Sequence, residues 1–393
     1  MTTLCRFTLD QPGKAKHTDE LRTPSIVINK SIATVNSNRM WRRSEALGCS
    51  IRPHVKTHKT IEGALIQTNG RRSKITVSTL AEARFFGNNN FDDILYAVPI
   101  TSDKLTECST LNEGLEQFHV MVDNESQLNA LEQFRSTFNS TAHLKKWSVV
   151  LMIDSGYGRD GVNPTSDSAM DLCRKLINSD HVDFFMTYTH GGNSYHASDV
   201  ESIKRYSTAE RDAVVTFRKK LNDVLGVDIP CSVGSTPTCS HPPTDGLDGV
   251  AEMHPGNYML YDYMQSLIGS CSENDVACRV LTRIVGHYPS SNSLQIDMGW
   301  TGCSAQGKEE DYGKFEGESA GDDGLIIADL KQEAGTVIRR DKGEINYAKY
   351  PIGSMLKLIP WHACAACHQH DIIYVVDDSG GNIIEQWKTA SYW

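Results

Sequence analysis

Short hydrophobic runs recur along the first two thirds of the chain, each followed by polar residues and then by a helical pattern. The runs are rich in β-branched residues and are bounded by turn-forming residues, which indicates buried strands. Strands that alternate with helices run parallel, and eight of them predict a closed (β/α)8 barrel, with an open doubly wound sheet as the alternative. The predicted strands are Ile51–Val55, Ile75–Ser78, Asp93–Tyr96, Phe118–Val122, Ser148–Ile153, Phe184–Tyr188, Ile229–Val233 and Val250–Met253.

Capping signals place helices between these strands. Thr79 with Glu82 forms a capping box, and Asn124 can cap the helix after the fourth strand. Ser198 with Glu201 forms another capping box before a long amphipathic segment. Helices therefore alternate with strands, as a barrel of this type requires.

After about residue 272 the pattern changes, because strand-like runs follow one another without long amphipathic helices between them. The "SGGN" at 379–382 is a hairpin-turn signal, and the Gly- and Glu-rich residues 302–324 are expected to form a surface loop. The predicted strands here are Val280–Val285, Leu294–Met298, Leu356–Ile359 and Ile372–Val376.

These patterns predict two domains. The (β/α)8 barrel is expected over residues 23–272, and a β-rich domain over residues 273–393. Residues 1–22 can pack against the β-rich domain. The segment "TPSIVINKSI", residues 23–32, precedes the first barrel strand and can pack against either domain.

Composition narrows the class of protein. The 393 residues carry a net charge of −10, which argues against nucleic acid or an anionic membrane as a partner, since both attract concentrated Lys and Arg. The sequence begins without an apolar leader segment and has no run of roughly 18 apolar residues, so we expect a soluble, cytoplasmic protein. The 11 cysteines are odd in number and scattered, which favours reduced thiols.

Polar, Gly-rich residues collect after the predicted strands, where the active site of such a barrel lies. Lys56 follows the first strand, "DSGYGRDGV" the fifth and "THGGNSYH" the sixth. The seventh and eighth strands are followed by "GSTPT" and "HPGNYMLYD", which have the composition of phosphate-binding turns, although each alone is compatible with an ordinary loop. The candidate phosphate-binding residues are Gly234, Ser235, Thr236, Gly256 and Asn257.

A phosphate site and a lysine at a strand end, without a Walker-type nucleotide motif, favour pyridoxal 5′-phosphate (PLP) as cofactor. Its aldehyde forms a Schiff base with lysine, and its phosphate needs a turn of this kind. By residue type alone, Lys59 competes with Lys56 for this role.

A second cluster of potential ligands lies in "PWHACAACHQHD", residues 360–371, which is rich in histidine and cysteine. His362 and Cys364 would lie on the same side of an extended segment and suit one borderline-soft cation, zinc above all. The alternatives are c-type haem attachment through "CAACH", a closed structural zinc site using Cys364, Cys367 and two histidines, and plain core cysteines.

Several of these motifs together resemble the eukaryotic-type D-serine dehydratases, which belong to the alanine-racemase-like, fold type III group of PLP enzymes. The matching stretches run from about Thr23 to Asp371 and include "RPHVKTHK", "DSGYGRDGV", "THGGNSYH", "SVGSTPT", "EMHPGNYMLYD", "DMGWTG" and "PWHAC". The resemblance implies a barrel plus a β domain, a homodimer with active sites near its interface, and one zinc ion per site.

Carried over by position, the resemblance implies individual roles. Lys56 matches the Schiff-base lysine, and Arg159 the residue facing the cofactor's ring nitrogen, with a surface salt bridge as the alternative for Arg159. Tyr188 matches an active-site tyrosine, and the five candidate turn residues match phosphate-binding positions. His362 and Cys364 match the metal pair, while the roles of His254 and Tyr258 stay open.

The implied reaction is β-elimination of D-serine to pyruvate and ammonia. Lys56 would remove the Cα proton, and zinc would stabilise the departing β-hydroxyl. Cys364 favours a dehydratase over D-threonine aldolases, which usually place an aspartate there. An aldolase or dehydratase acting on D-threonine or 3-hydroxy-D-aspartate is the main alternative, and a racemase or a non-catalytic PLP carrier fits the metal pair less well.

Overall fold

The computed structural model describes residues 15–137, 144–317 and 324–390. Most of the segment predicted to pack against the β-rich domain, residues 1–14, lies outside the described residues. The same holds for residues 318–323 of the predicted surface loop. No helix in the described ranges is long and apolar enough to cross a lipid bilayer.

The described chain first crosses from one sheet to another. Strand β1 (Ser25–Asn29) is followed directly by helix α1 (Lys30–Ala46), whose N-cap is Asn29. Asn29 accepts a hydrogen bond from Ile32 N at 3.0 Å, which satisfies one of the free amides at the start of α1. Helix α1 then packs against the barrel, which begins at the next strand.

Eight parallel strands form the barrel. Their spatial order is β2-β9-β8-β7-β6-β5-β4-β3, and a parallel bridge between His54 and Thr76 joins its two ends. The predicted (β/α)8 barrel is therefore confirmed over the open sheet. The strands are β2 (Ser50–Ile51), β3 (Ile75–Val77), β4 (Asp93–Pro99), β5 (Gln117–Val122), β6 (Trp147–Ile153), β7 (Val182–Thr189), β8 (Cys231–Val233) and β9 (Glu252–Met253).

Helices alternate with these strands, as predicted. Thr79 and Asn124 cap their helices. The expected box of Ser198 with Glu201 is wrong, because Asp199 is the N-cap and pairs reciprocally with Ser202. The helices are α2 (Ile61–Gln67), α3 (Leu80–Gly87), α4 (Leu105–Gly114), α5 (Glu125–Ser136), α6 (Asp167–Asn178), α7 (Val200–Leu225), α8 (Thr236–Ser240) and α9 (Tyr263–Leu267).

The second sheet has nine strands and includes β1. Ser25 pairs antiparallel with Leu281, and Ile26 pairs parallel with Ile373, so β1 lies between two strands that come after the barrel in the sequence. Its other members are β10 (Cys278–Tyr288), β11 (Ser293–Ile296), β12 (Gly313–Phe315), β13 (Leu325–Leu330), β14 (Gly335–Arg339), β15 (Met355–Pro360), β16 (Ile372–Val376) and β17 (Ile383–Lys388).

The β-rich character of this part is confirmed, but the predicted loop over residues 302–324 is partly wrong. It contains β12, which pairs with β15, and the end of a short helix, α10 (Trp300–Cys303). A further short helix, α11 (Ala363–Cys367), follows β15.

Residues 23–32 divide between the two parts, with β1 in the second sheet and α1 on the barrel. The domain bounds 23–272 and 273–393 stay a prediction.

Candidate active site

A cavity of about 250 Å³ opens at the carboxyl ends of the barrel strands. It brings together Lys56, Arg159 and Tyr188, which the sequence predicted on three separate segments. Beneath it lies a buried apolar layer that includes Leu95 and Val150. The remaining lining residues are His54, Ser78, Ala97, Val98, Pro99, Met121, Met152, Asp160 and His190.

Lys56 lies on a 3-10 turn, residues Val55–Thr57, directly after β2. The preceding His54 fixes this turn, since its Nδ1 accepts the Lys56 N–H at 3.5 Å and its Nε2 contacts Ser78 Oγ at 3.1 Å. Burial and the nearby Lys56 lower the pKa of His54 well below its usual value. The lysine is thus held by a neutral imidazole that sequence reasoning did not single out.

Lys59, the rival lysine, has different surroundings. It is buried, and its Nζ lies 3.0 Å from Oε1 of the fully buried Glu82 on α3. It does not line the cavity. Lys59 therefore neutralises a buried carboxylate.

Tyr188 at the end of β7 stacks on His254, with ring centroids 3.6 Å apart and planes at 13°. His254 donates from Nε2 to the Thr189 carbonyl at 2.8 Å and accepts from Ser232 Oγ at Nδ1, 2.5 Å away. Burial and the proximity of His190 lower the pKa of His254 well below normal. The histidine whose role the sequence left open is a neutral ring that fixes the orientation of Tyr188.

Arg159 comes from the loop after β6. Its side chain is half exposed and pairs with the neighbouring Asp160, with Nε 3.2 Å from Oδ2. It also lies over the ring of Tyr157 at 5.4 Å. The surface ion pair considered as an alternative is present, and the same guanidinium lines the cavity.

His190 occupies the wall between Arg159 and the phosphate-binding candidates. Its Nδ1 donates to the Gly234 carbonyl at 2.7 Å. Burial, with Lys56 and Arg159 nearby, lowers the pKa of His190 to about 3, so the ring is neutral at physiological pH. Sequence reasoning placed His190 in a Gly-rich motif without giving it a role.

The two predicted phosphate turns meet each other. The backbone N–H of Asn257 donates to Thr236 Oγ1 at 2.9 Å. Gly234 leaves no room for a side chain, because a Cβ there would lie 2.8 Å from His254, and a Cβ on Gly256 would make a tight contact of 3.2 Å with the His54 carbonyl oxygen. Ser235 caps α8, so this turn opens onto a helix start. We call residues 234–236 and 256–257 the cradle.

One buried carboxylate organises the cradle. Glu210, on the inner face of α7, accepts the Gly191 N–H at 2.6 Å and the Gly234 N–H at 3.0 Å. The Gly234 amide is thus already used, which leaves phosphate binding to other groups of the cradle. Burial raises the pKa of Glu210 to about 7. Its position among buried residues of α7 such as Val214 is the sequence signal that could have identified it.

His362 and Cys364 lie together, but not as two residues of one strand. His362 is the extended N-cap of α11, and Cys364 lies in the first turn of that helix. His362 Nδ1 contacts Gln306 Oε1 at 2.6 Å, and its ring hydrogen-bonds the Cys364 thiol. The predicted pair is adjacent, although the predicted geometry is wrong.

The electrostatics of this pair favour a thiolate. Burial opposes ionisation of Cys364, but His362 and Lys56 outweigh it and lower the pKa of the thiol below normal. Burial likewise opposes protonation of His362, yet Cys364 and Asp262 raise its pKa to about 9. Without metal the two side chains therefore form an imidazolium–thiolate pair, and a bound zinc would displace the imidazole proton to gain two donors that suit it.

Helix α11 brings the pair to the barrel. Thr57 Oγ1 lies 3.0 Å from Cys364 Sγ, and Thr57 directly follows Lys56. Among the described residues, no group of three or more His, Cys, Asp and Glu side chains is arranged to hold a metal ion. The described residues therefore do not form the closed zinc site with Cys367.

Two family models match the chain. The model for the alanine racemase N-terminal domain covers residues 29–263, and that for a putative serine dehydratase domain covers residues 277–376. The chain is 35% identical to D-serine dehydratase from Dictyostelium discoideum, over 95% of this chain and 98% of that one. It is 31% identical to the Schizosaccharomyces pombe D-serine dehydratase, over 96% and 94%.

The fold also matches a solved dehydratase. D-threo-3-hydroxyaspartate dehydratase from Delftia sp. HT23 superposes with a TM-score of 0.87 at 28% identity, covering 96% of this chain and all of that one. Two further structures of D-threo-3-hydroxyaspartate dehydratase carry a histidine-to-alanine and a cysteine-to-alanine substitution two positions apart, the second in a metal-free form. With the matches to both halves of the sequence, the chain belongs to the D-serine dehydratase family of alanine-racemase-like PLP enzymes.

Proposed function

We propose that this protein catalyses the PLP- and zinc-dependent β-elimination of D-serine to pyruvate and ammonia. One observation carries the proposal: the 3.0 Å contact between Thr57 Oγ1 and Cys364 Sγ, which sets the turn of Lys56 against the His362–Cys364 pair. The D-serine dehydratases among the relatives support the substrate. A cysteine-to-alanine variant of a related D-threo-3-hydroxyaspartate dehydratase has a structure in a metal-free form, which supports a metal in enzymes of this kind.

The cavity residues fit PLP. Lys56 would hold the cofactor as a Schiff base, and Arg159 would face its ring nitrogen. The hydroxyls of Ser235 and Thr236, together with Asn257, would hold its phosphate in the cradle, which His190 joins to the cavity. When bound, PLP supplies an electron sink for the negative charge that develops at the substrate Cα.

In the reaction, the Lys56 amine takes the proton from Cα. Among the described residues, Lys56 Nζ has no ion-pair partner, whereas Lys59 Nζ pairs with Glu82. His54 holds the backbone of the lysine turn, and stacking on His254 holds Tyr188. These fixed positions would hold the Lys56 amine next to the Cα proton that it removes. Such positioning of a base supplies a large part of the rate enhancement in enzymes.

His362 and Cys364 would hold zinc. When bound, zinc supplies a Lewis acid that stabilises the negative charge on the departing β-hydroxyl. Two protein donors leave coordination positions open, as catalytic sites require, although the usual number of protein donors is three. Gln306 would orient the His362 ring from its other side.

The second candidate is dehydration of 3-hydroxy-D-aspartate, favoured by the match to the Delftia enzyme. An aldolase acting on D-threonine is the third. Purified protein incubated with each D-amino acid and its L-enantiomer separates them by product. We expect pyruvate from D-serine and none from L-serine. Oxaloacetate alone would point to the second candidate, and glycine with an aldehyde to the aldolase.

We further propose a homodimer, which the family resemblance implies. A light-scattering mass of twice the 43.6 kDa chain would support it, and a monomeric mass for the active enzyme would contradict it.

A further inference from the structure

Asp262 is a fully buried carboxylate that the proposed mechanism does not use. It is the N-cap of α9, and its Oδ1 accepts the Gln265 N–H at 3.0 Å. Capping needs only this one oxygen. The described residues provide no salt bridge to Asp262, so its hydrogen bonds and the charge interaction with His362 must offset the cost of burying it.

The second carboxylate oxygen connects two parts of the site. Oδ2 accepts from Asn257 Nδ2, 2.5 Å away, in the cradle. It also accepts from the backbone N–H of Ala363 at 2.9 Å. Ala363 stands between His362 and Cys364, so one oxygen atom contacts both the cradle and the segment that carries the metal pair.

A shared acceptor of this kind transmits displacement. A carboxylate accepting N–H bonds in a buried site has short, directional contacts, and none can lengthen by more than a few tenths of an ångström without weakening. Movement of Asn257 on phosphate binding would shift Asp262 and therefore Ala363. Conversely, movement of α11 on metal binding would shift Ala363, then Asp262, and therefore Asn257.

We propose that Asp262 is a positioning residue that couples the cradle to the metal pair, so that a bound cofactor phosphate and a bound metal stabilise each other. The inference rests on the proposed function, because it assumes PLP in the cavity and zinc on His362 and Cys364. Coupling between two binding sites is reciprocal, and zinc must raise PLP affinity by the factor by which PLP raises zinc affinity.

The test measures binding in the full-length enzyme. PLP affinity is titrated by cofactor absorbance with zinc present and with zinc removed by chelation, and zinc affinity is measured with and without PLP. In the unmodified protein we expect each ligand to tighten the other about fivefold or more. In Asp262→Ser the hydroxyl keeps the helix cap but cannot bridge Asn257 and Ala363. We therefore expect each ligand to bind with about the same affinity whether or not the other ligand is present.

Two further variants keep the test decisive. Asp262→Asn preserves side-chain size and replaces Asp262→Ser if the serine variant does not fold. Asp199→Ser makes the same substitution at another aspartate N-cap, that of α7, and should keep the coupling of the unmodified protein. Undiminished coupling in the Asp262 variants would overturn the proposal.

The outcome also separates this inference from the proposed function. If the unmodified enzyme binds PLP and zinc and turns over D-serine, but the two affinities are independent, only the role of Asp262 is wrong. If it binds no zinc, the metal-dependent mechanism and the coupling are wrong together.

Discussion

At the scale of single residues, the site depends on the difference between two lysines three positions apart. Lys56 lines the cavity, whereas Lys59 is buried against Glu82. Sequence alone could not separate them by type, and the family resemblance selected Lys56. The structure adds the physical distinction, because a lysine already paired with a buried carboxylate is not available to form a Schiff base.

We predict that Lys56→Ala abolishes both turnover and the Schiff-base absorption, with little loss of stability. Lys59→Ala is the matched control. It should keep the absorption of the bound cofactor but lower the free energy of unfolding by about 3–5 kcal/mol, since it leaves Glu82 buried without its partner. Spectra and denaturant titrations of both variants check this. Turnover that survived in Lys56→Ala would move the chemistry elsewhere.

The two cysteines of α11 give a second residue-level prediction. Cys364→Ala should abolish zinc binding and reduce pyruvate formation at least about 100-fold while PLP stays bound. Cys367→Ala should keep zinc, because Cys367 is a buried thiol whose pKa burial raises well above normal. Metal analysis of the purified variants distinguishes them. Loss of zinc from both variants would instead support the closed zinc site that uses Cys364 and Cys367.

Residues in short motifs could be proposed as site residues from the sequence, whereas residues that act through tertiary contacts could not. Lys56 and the His362–Cys364 pair stand in short motifs. His54, His190 and Glu210 gained significance only when the strand ends met. A histidine before a lysine, or a glutamate on a helix, has many ordinary explanations until the fold shows what it contacts.

At the scale of elements, periodicity predicted the strands but not their ends. The first barrel strand is only Ser50–Ile51, because Pro53 cannot donate a ladder hydrogen bond and the chain turns at residues 55–57. The hairpin of β13 and β14 was missed. Its connection, residues 331–334, reads "KQEA" and lacks the Gly, Asn or Asp that marks a tight turn.

Helix α2 links a buried histidine to the cradle. His58 Nδ1 accepts the Thr60 N–H at 3.0 Å, and its Nε2 donates to Gln67 Oε1 at 3.0 Å. Gln67 in turn donates to the Gly256 carbonyl at 2.9 Å. Burial lowers the pKa of His58 to about 4, so the folded protein holds it neutral. Protonation would break the bond from Thr60.

This arrangement predicts acid sensitivity. Because the pKa of His58 is lower in the folded than in the unfolded state, the unfolded chain binds the proton first, and stability is lost as pH falls from about 6.5 toward 4. The contribution of this one group is ~3 kcal/mol at most. Unfolding free energies of the unmodified protein and His58→Gln across this range test it. Equal pH slopes would contradict the prediction.

At the scale of the whole molecule, a buried ionic network closes the end of the barrel opposite the cavity. Arg52, only 1% exposed, donates to Glu252 Oε1 at 2.7 Å and to both oxygens of Asp93. His119 contacts Asp93 at 3.1 Å. Asp93 and Glu252 begin strands β4 and β9, so the network ties together strands that are distant along the chain.

We predict that Arg52→Met destabilises the fold by about 3–5 kcal/mol, because the buried Glu252 and the partly buried Asp93 lose Arg52 as counter-charge. The control is Arg218→Met, which removes a two-point ion pair with Asp228 on the surface and should cost about 0–1 kcal/mol. Denaturant titration gives both values. A similar small loss in each would show that the network does not stabilise the barrel.

The path of the chain explains why the site needs both parts of the molecule. It begins in the second sheet with β1, builds the barrel, and returns to that sheet, whose α11 lies against the Lys56 turn. Binary patterning predicted each part. The pattern could not predict that the barrel and the second sheet are in contact, because periodicity carries no information on the contact between Thr57 and Cys364.

The most direct test of the central claim is pyruvate formation from D-serine before and after metal removal, with PLP occupancy followed by absorbance in the same samples. We predict that chelation stops pyruvate formation while PLP remains measurably bound, and that added zinc restores it. Full turnover in enzyme shown to be free of metal would contradict the account.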